Sequence, residues 1–178
     1  MRTSFKVALS GVVAALGLIL MLLTSVIPFG TYAFPCFAGI LTVAVVIEVG
    51  YPYAFGVYAV TAALSFLLAT DKEAALLYVI FLGCYPIIKS FIERIKLKWV
   101  QYVVKLFIFN VCMIGAFYAA TLLLSAPADS FTVFGLYLPW VFLLAGNVVF
   151  IIYDICVTRL VTIYMLKWHK KFNKNTKL

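Results

Sequence analysis

Apolar runs of about 20 residues, separated by short polar turns, are the feature that most limits how this chain can fold. In hydrocarbon each backbone N–H and C=O must find a partner inside the protein, so such runs read as membrane-crossing helices. Six fit: residues 5–26, 32–49, 53–69, 74–92, 100–125 and 136–166, followed by a basic tail over 167–178. Composition agrees. The 178 residues are 66% hydrophobic and 11% charged, against roughly 45–50% and 25% in soluble domains, and the mean hydropathy is +1.15. The sequence therefore predicts an all-α fold, a single integral membrane bundle of six transmembrane helices. The last run exceeds one bilayer crossing and should tilt or protrude.

Residues 1–26 place Arg2 and Lys6 before an apolar run, as a signal peptide does. The run is long and has no small-x-small cleavage site, so it reads as the first span. Cys36, Cys84, Cys112 and Cys156 lie in apolar runs without CxxC spacing and read as small core residues. With one histidine, in the tail, there is no His-based metal site, and no catalytic constellation or phosphate loop is present. The chain reads as a non-enzyme without cofactor or metal.

Orientation follows from lysine and arginine, which concentrate in cytoplasmic loops. With the N-terminus inside, Arg2 and Lys6, the segment KSFIERIKLK with Lys105, and the stretch from Arg159 through the tail collect 13 of the 14 basic residues. Lys72 alone falls outside, with Asp71, Glu73 and Asp129. Both termini are thus expected in the cytoplasm. The net charge of +8 reflects topology and an affinity of the tail and loop for anionic lipids, not nucleic-acid binding.

Polar residues inside the runs carry the functional information, because a carboxylate in mid-membrane costs about 2.5–3.5 kcal/mol on insertion scales and must face the bundle interior. Counted from the outer face, Glu48, Lys89 and Asp154 fall in the inner third, with Lys105 and Arg159 about a turn deeper. Two acids and three bases at one level can neutralise one another, as a structural ion-pair layer or as a gate. Asn110 and Asn147 lie nearer the midplane, where they either clamp spans 5 and 6 or face a ligand. On the outer half, Tyr78, Tyr85 and Tyr118 add hydroxyls, and Phe34, Phe81 and Phe117 add aromatic surface. Together they suit a pocket for a small, partly apolar molecule.

Span 1 carries small residues at Ser4, Ala8, Gly11 and Ala15, with a second stripe at Ser10, Ala14 and Gly17. Such stripes let helices approach closely, within one bundle or against a partner. Six spans with this first helix, KVALSGVVAALGLIL, resemble the substrate-binding S components of energy-coupling factor transporters. IPFGTYAFP is similar to that family's first outer loop, and GYPYAFGVYAVTAALSFLL to its third helix. The resemblance implies a bacterial plasma-membrane protein that captures a vitamin or similar nutrient and works with a membrane coupling subunit driven by an ATPase pair. It implies docking of that subunit through Ala8, Gly11 and Ala15. It puts the ligand near Tyr32, Phe34, Tyr78, Asn110, Tyr118 and Asn147, with no cofactor. The alternative is a structural or assembly protein of the bacterial envelope whose polar layer serves packing alone.

Overall fold

Each apolar run becomes helix because only helix satisfies its backbone internally; what varies is where each begins and ends. The computed structural model describes residues 3–27, 30–123, 132–133, 136–137 and 139–166. Helix α1 is Thr3–Leu23, α2 Ala33–Glu48 and α3 Tyr51–Leu68. The expected span 1 runs on to residue 26, but Thr24 turns its hydroxyl back onto the Met21 carbonyl at 2.7 Å and residues 24–26 form a turn. Gly50 separates α2 from α3 with φ 107, a left-handed value that suits glycine. Pro52 sits in the first turn of α3, where its missing N–H costs nothing, so this helix starts two residues before the expected boundary.

The fourth run departs most from expectation. It opens with α4, Lys72–Leu77, whose N-cap Asp71 accepts from the Ala74 N–H at 3.0 Å. It widens into a π-helical turn, Tyr78–Leu82, bends at Gly83–Cys84, and resumes as α5, Tyr85–Ile92. Pro86, in the first turn of α5, has no N–H to continue the ladder. The run over 74–92 predicts an unbroken helix, where the structure has a π turn and a two-residue turn instead. Against α2, Gly39 lies so close to the Leu82 carbonyl oxygen that a Cβ there would stand 2.2 Å from it.

Helix α6, Lys98–Leu123, and helix α7, Pro139–Tyr164, complete the bundle. Between them Thr132–Val133 (β1) pairs antiparallel with Leu136–Tyr137 (β2), Thr132 opposite Tyr137. This strand pair stands where residues 136–137 were expected to open the sixth helix, and Pro139, suited to a first turn, begins it instead. The tail 167–178, Phe29, and Ser125 at the end of the expected span 5 lie outside the described residues.

Helix α1 packs on α2 and α3, α5 and the π turn pack on α2 and α6, and α7 closes against α6 and α2. Among the described residues, five segments are long and apolar enough to cross a membrane: α1, α3, Lys72–Ile92, α6 and α7. At 16 residues, α2 spans about 24 Å, less than the ~30 Å hydrocarbon core. This is the construction of a multi-pass helical membrane protein. The Lys72–Ile92 segment is its centre, with 56% of its apolar window buried against 17% to 28% in the other four. Around it Phe81, Tyr85, Phe109, Phe150 and Tyr153 form an aromatic core, with Phe109 and Phe150 stacked at 4.6 Å.

Candidate functional site: a buried ion cluster and an amide pair

The inward face of α7 repeats at helical spacing: Asn147, Phe150, Asp154 and Val157 lie on one side. This stripe brings Asp154 against α5 and α6. Its carboxylate accepts from the Lys89 ammonium and from the Tyr85 hydroxyl, and pairs with the Lys105 ammonium at 3.1 Å. Lys89 also donates to Thr158 Oγ1 at 2.8 Å and pairs with Glu93 at 2.7 Å. Lys105 pairs with Glu93 at 3.0 Å. Two ammonium groups and two carboxylates thus form one neutral cluster. Lys89, Lys105 and Asp154 are buried, while Glu93, its side chain 35% exposed, reaches the end of the bundle that carries the basic loop.

Charges withdrawn from water are tolerable when paired and fully hydrogen-bonded. Here the Lys89 ammonium has Asp154, Glu93 and Thr158 within reach. Thr158 in turn donates to the Asp154 carbonyl at 2.8 Å.

Of the five residues expected in the layer, the structure joins Lys89, Lys105 and Asp154 and leaves two elsewhere. Glu48 accepts from the Tyr164 hydroxyl at 3.2 Å. Tyr164 lies about 15 Å further along α7 than Asp154 at 1.5 Å per residue. Counting residues put Glu48 and Lys89 level, but a π turn holds more residues per turn than an α-helix, so Lys89 descends less than the count implies. Arg159 is exposed. Five residues beyond Asp154 it points about 140° around the helix, away from the cluster.

The second acid is Glu93, four residues after Lys89 and so on the same helix face. That spacing was readable, but Glu93 falls just beyond the expected end of span 4. Tyr85, expected among the outer hydroxyls, belongs to this cluster, as does Thr158.

Asn110 of α6 and Asn147 of α7 face one another. Each Nδ2 donates to the other's Oδ1, at 2.9 and 3.1 Å. Each also donates to the carbonyl one turn back on its own helix, Leu106 and Leu143, both at 2.8 Å. All four amide N–H bonds are therefore directed at protein acceptors.

The other ligand candidates do not converge. Tyr32 is 62% exposed and donates to Glu73 Oε1 at 2.8 Å, tying the turn before α2 to the start of α4. Phe34 is half-buried with its ring against Gly30. Tyr118 is exposed on α6. Tyr78 is fully buried in a core with Met21, Ala38 and Ala62. Ala8, Gly11 and Ala15 all lie on the exposed side of α1, and nothing stands within 4 Å of a Cβ built on Gly11. Compared with family models, curated proteins and solved structures, the chain has no match.

Proposed function

We propose that this chain is a membrane-embedded binding subunit of a bacterial plasma membrane. It crosses six times with both termini cytoplasmic, captures a small nutrient of the vitamin class from outside, and hands it to a separate ATP-driven coupling module. Six crossings require α2 to span with local thinning of the bilayer, a modest cost per ångström of mismatch. The distribution of Lys and Arg supports the orientation. The observation that carries the reading is the interruption of the central segment at Tyr78–Cys84. A π turn inside an α-helical segment frequently marks a functional site, and the middle of the bundle is where membrane carriers place their ligands. The neutral ion cluster then seals the cytoplasmic side beneath the break, and the exposed Ala8, Gly11 and Ala15 stripe meets the coupling subunit. In this reading Tyr32 and Phe34 stand at the outer mouth.

A second reading has a specific observation in its favour. The Asn110–Asn147 amides and the cluster ammonium groups spend their hydrogen bonds on the protein itself. This suits a structural or assembly protein of the envelope with no transported substrate.

Extraction of the tagged protein from its native membrane in mild detergent, followed by mass spectrometry of proteins and small molecules, separates the two. Recovery of an ATPase pair with a membrane coupling subunit is the expected outcome. Recovery of envelope-assembly proteins without an ATPase hands the case to the second reading.

A further inference from the structure

Serine and threonine in apolar helices ordinarily return their hydroxyl proton to a carbonyl about one turn earlier. This chain does so repeatedly: Thr42 onto Gly39, Ser90 onto Ile87, Thr121 onto Phe117, Thr158 onto Asp154 and Thr162 onto Thr158. Thr61 and Ser65 do not. They stand four residues apart on the buried face of α3, 1% and 0% exposed, and neither hydroxyl has a partner among the described residues. The Tyr78 hydroxyl, at the first residue of the π turn and 0% exposed, lies beside Thr61 without a hydrogen bond of acceptable geometry.

The three hydroxyls share one seam. Helices α1 and α3 run parallel, since Lys6 lies over the Tyr53 ring, Gly17 against Thr61, and the Ser25 hydroxyl on the Thr70 N–H, in order along both. Thr61 is therefore level with Gly17, which has no side chain to fill the space, and Ser65 is level with Met21. Met21 and Tyr78 belong to the same core cluster, whose other members are alanines, Leu20, Tyr58 and Val79. Among the described residues, two other unpartnered hydroxyls lie apart from the seam's centre: Ser10, two turns along α1, and Tyr153, beside Gly39.

We propose that Thr61, Ser65 and Tyr78 form a binding site for ordered water between α1, α3 and the π turn. A small ligand that can both donate and accept satisfies all three, because each hydroxyl can do either. It must be uncharged, because the buried charges among the described residues, Lys89, Lys105 and Asp154, pair with one another and with Glu93, leaving no countercharge for an ion in hydrocarbon. Water meets both conditions and is stable where two to four polar groups converge. The site sits against the turn where the helix ladder is irregular, with the Gly83 N–H reaching back to the Tyr78 carbonyl at 2.9 Å.

The test is radiolytic hydroxyl-radical labelling of the full chain in lipid nanodiscs prepared in ¹⁸O-water. Bound water generates radicals in place and labels side chains that bulk water does not reach. The expected result is ¹⁸O incorporation at Tyr78 and Met21 several-fold above that at the equally buried Tyr85, falling to the Tyr85 level in a Thr61→Val/Ser65→Ala variant. Labelling of Tyr78 no higher than Tyr85 in the unaltered protein overturns the proposal, leaving a direct Tyr78–Thr61 bond as the explanation. Thermal unfolding gives a second readout. Thr61→Val lowers Tm if its hydroxyl holds water, and a rise in Tm, the signature of an orphaned hydroxyl, overturns the site.

Discussion

Asn110 and Asn147 exchange two side-chain hydrogen bonds across α6 and α7, and each spends its remaining amide proton on its own helix. The amides are therefore a clamp. Asn110→Ala or Asn147→Ala alone is expected to destabilise the protein by about 1–2 kcal/mol, since the survivor loses its partner in an apolar setting. The double variant should cost less than the sum. Unfolding in detergent micelles for all four members of the cycle measures the coupling, and strict additivity would contradict the pair.

Asp154 is the hub of the ion cluster, so removing its charge leaves two buried ammonium groups with Glu93 alone. Asp154→Asn should destabilise by about 3–5 kcal/mol, the usual result of breaking a buried pair from one side. Adding Lys89→Met restores neutrality between Lys105 and Glu93. The double variant is expected to be more stable than Asp154→Asn alone, read by the midpoint of thermal unfolding.

Glu93 and Glu48 distinguish the observed cluster from the one that residue counting suggests. In a Lys105→Met background, Glu93→Gln should show coupling of about 1 kcal/mol, reduced by its partial exposure to solvent. Glu48→Gln in the same background should be additive, because Glu48 accepts from Tyr164 while Lys105 pairs with Glu93 and Asp154.

Two glycines separate packing inside the bundle from docking outside it. Gly39→Ala drives a methyl group to 2.2 Å from a backbone oxygen, a clash no side-chain movement relieves. A loss of about 3 kcal/mol or outright failure to fold is expected. Gly11→Ala meets nothing within 4 Å and, in the middle of α1, should not destabilise, helix propensity favouring Ala by up to about 1 kcal/mol. If the exposed stripe of α1 docks a coupling subunit, Gly11→Leu should abolish co-purification of that partner while leaving the Tm of the isolated chain unchanged.

By itself the sequence determined the helical, membrane-crossing character, because apolar runs of this length have no other way to satisfy their backbone. It also determined that Asn147 and Asp154 share a face, since residues seven apart on a helix point the same way. The Lys89–Glu93 spacing was equally legible, although the expected helix end hid it. Tertiary structure alone decided the rest. Whether Asp154 meets Lys89 and Lys105 or Glu48 and Arg159 depends on how each helix is rotated and how far it rises. The π turn at Tyr78–Leu82 changes both in the central segment. That turn adjoins the close approach of Leu82 to Gly39 and the proline at the start of α5. The reciprocity of Asn110 and Asn147 was likewise beyond the sequence, because it rests on two amides from distant stretches reaching hydrogen-bonding distance only once α6 and α7 have packed.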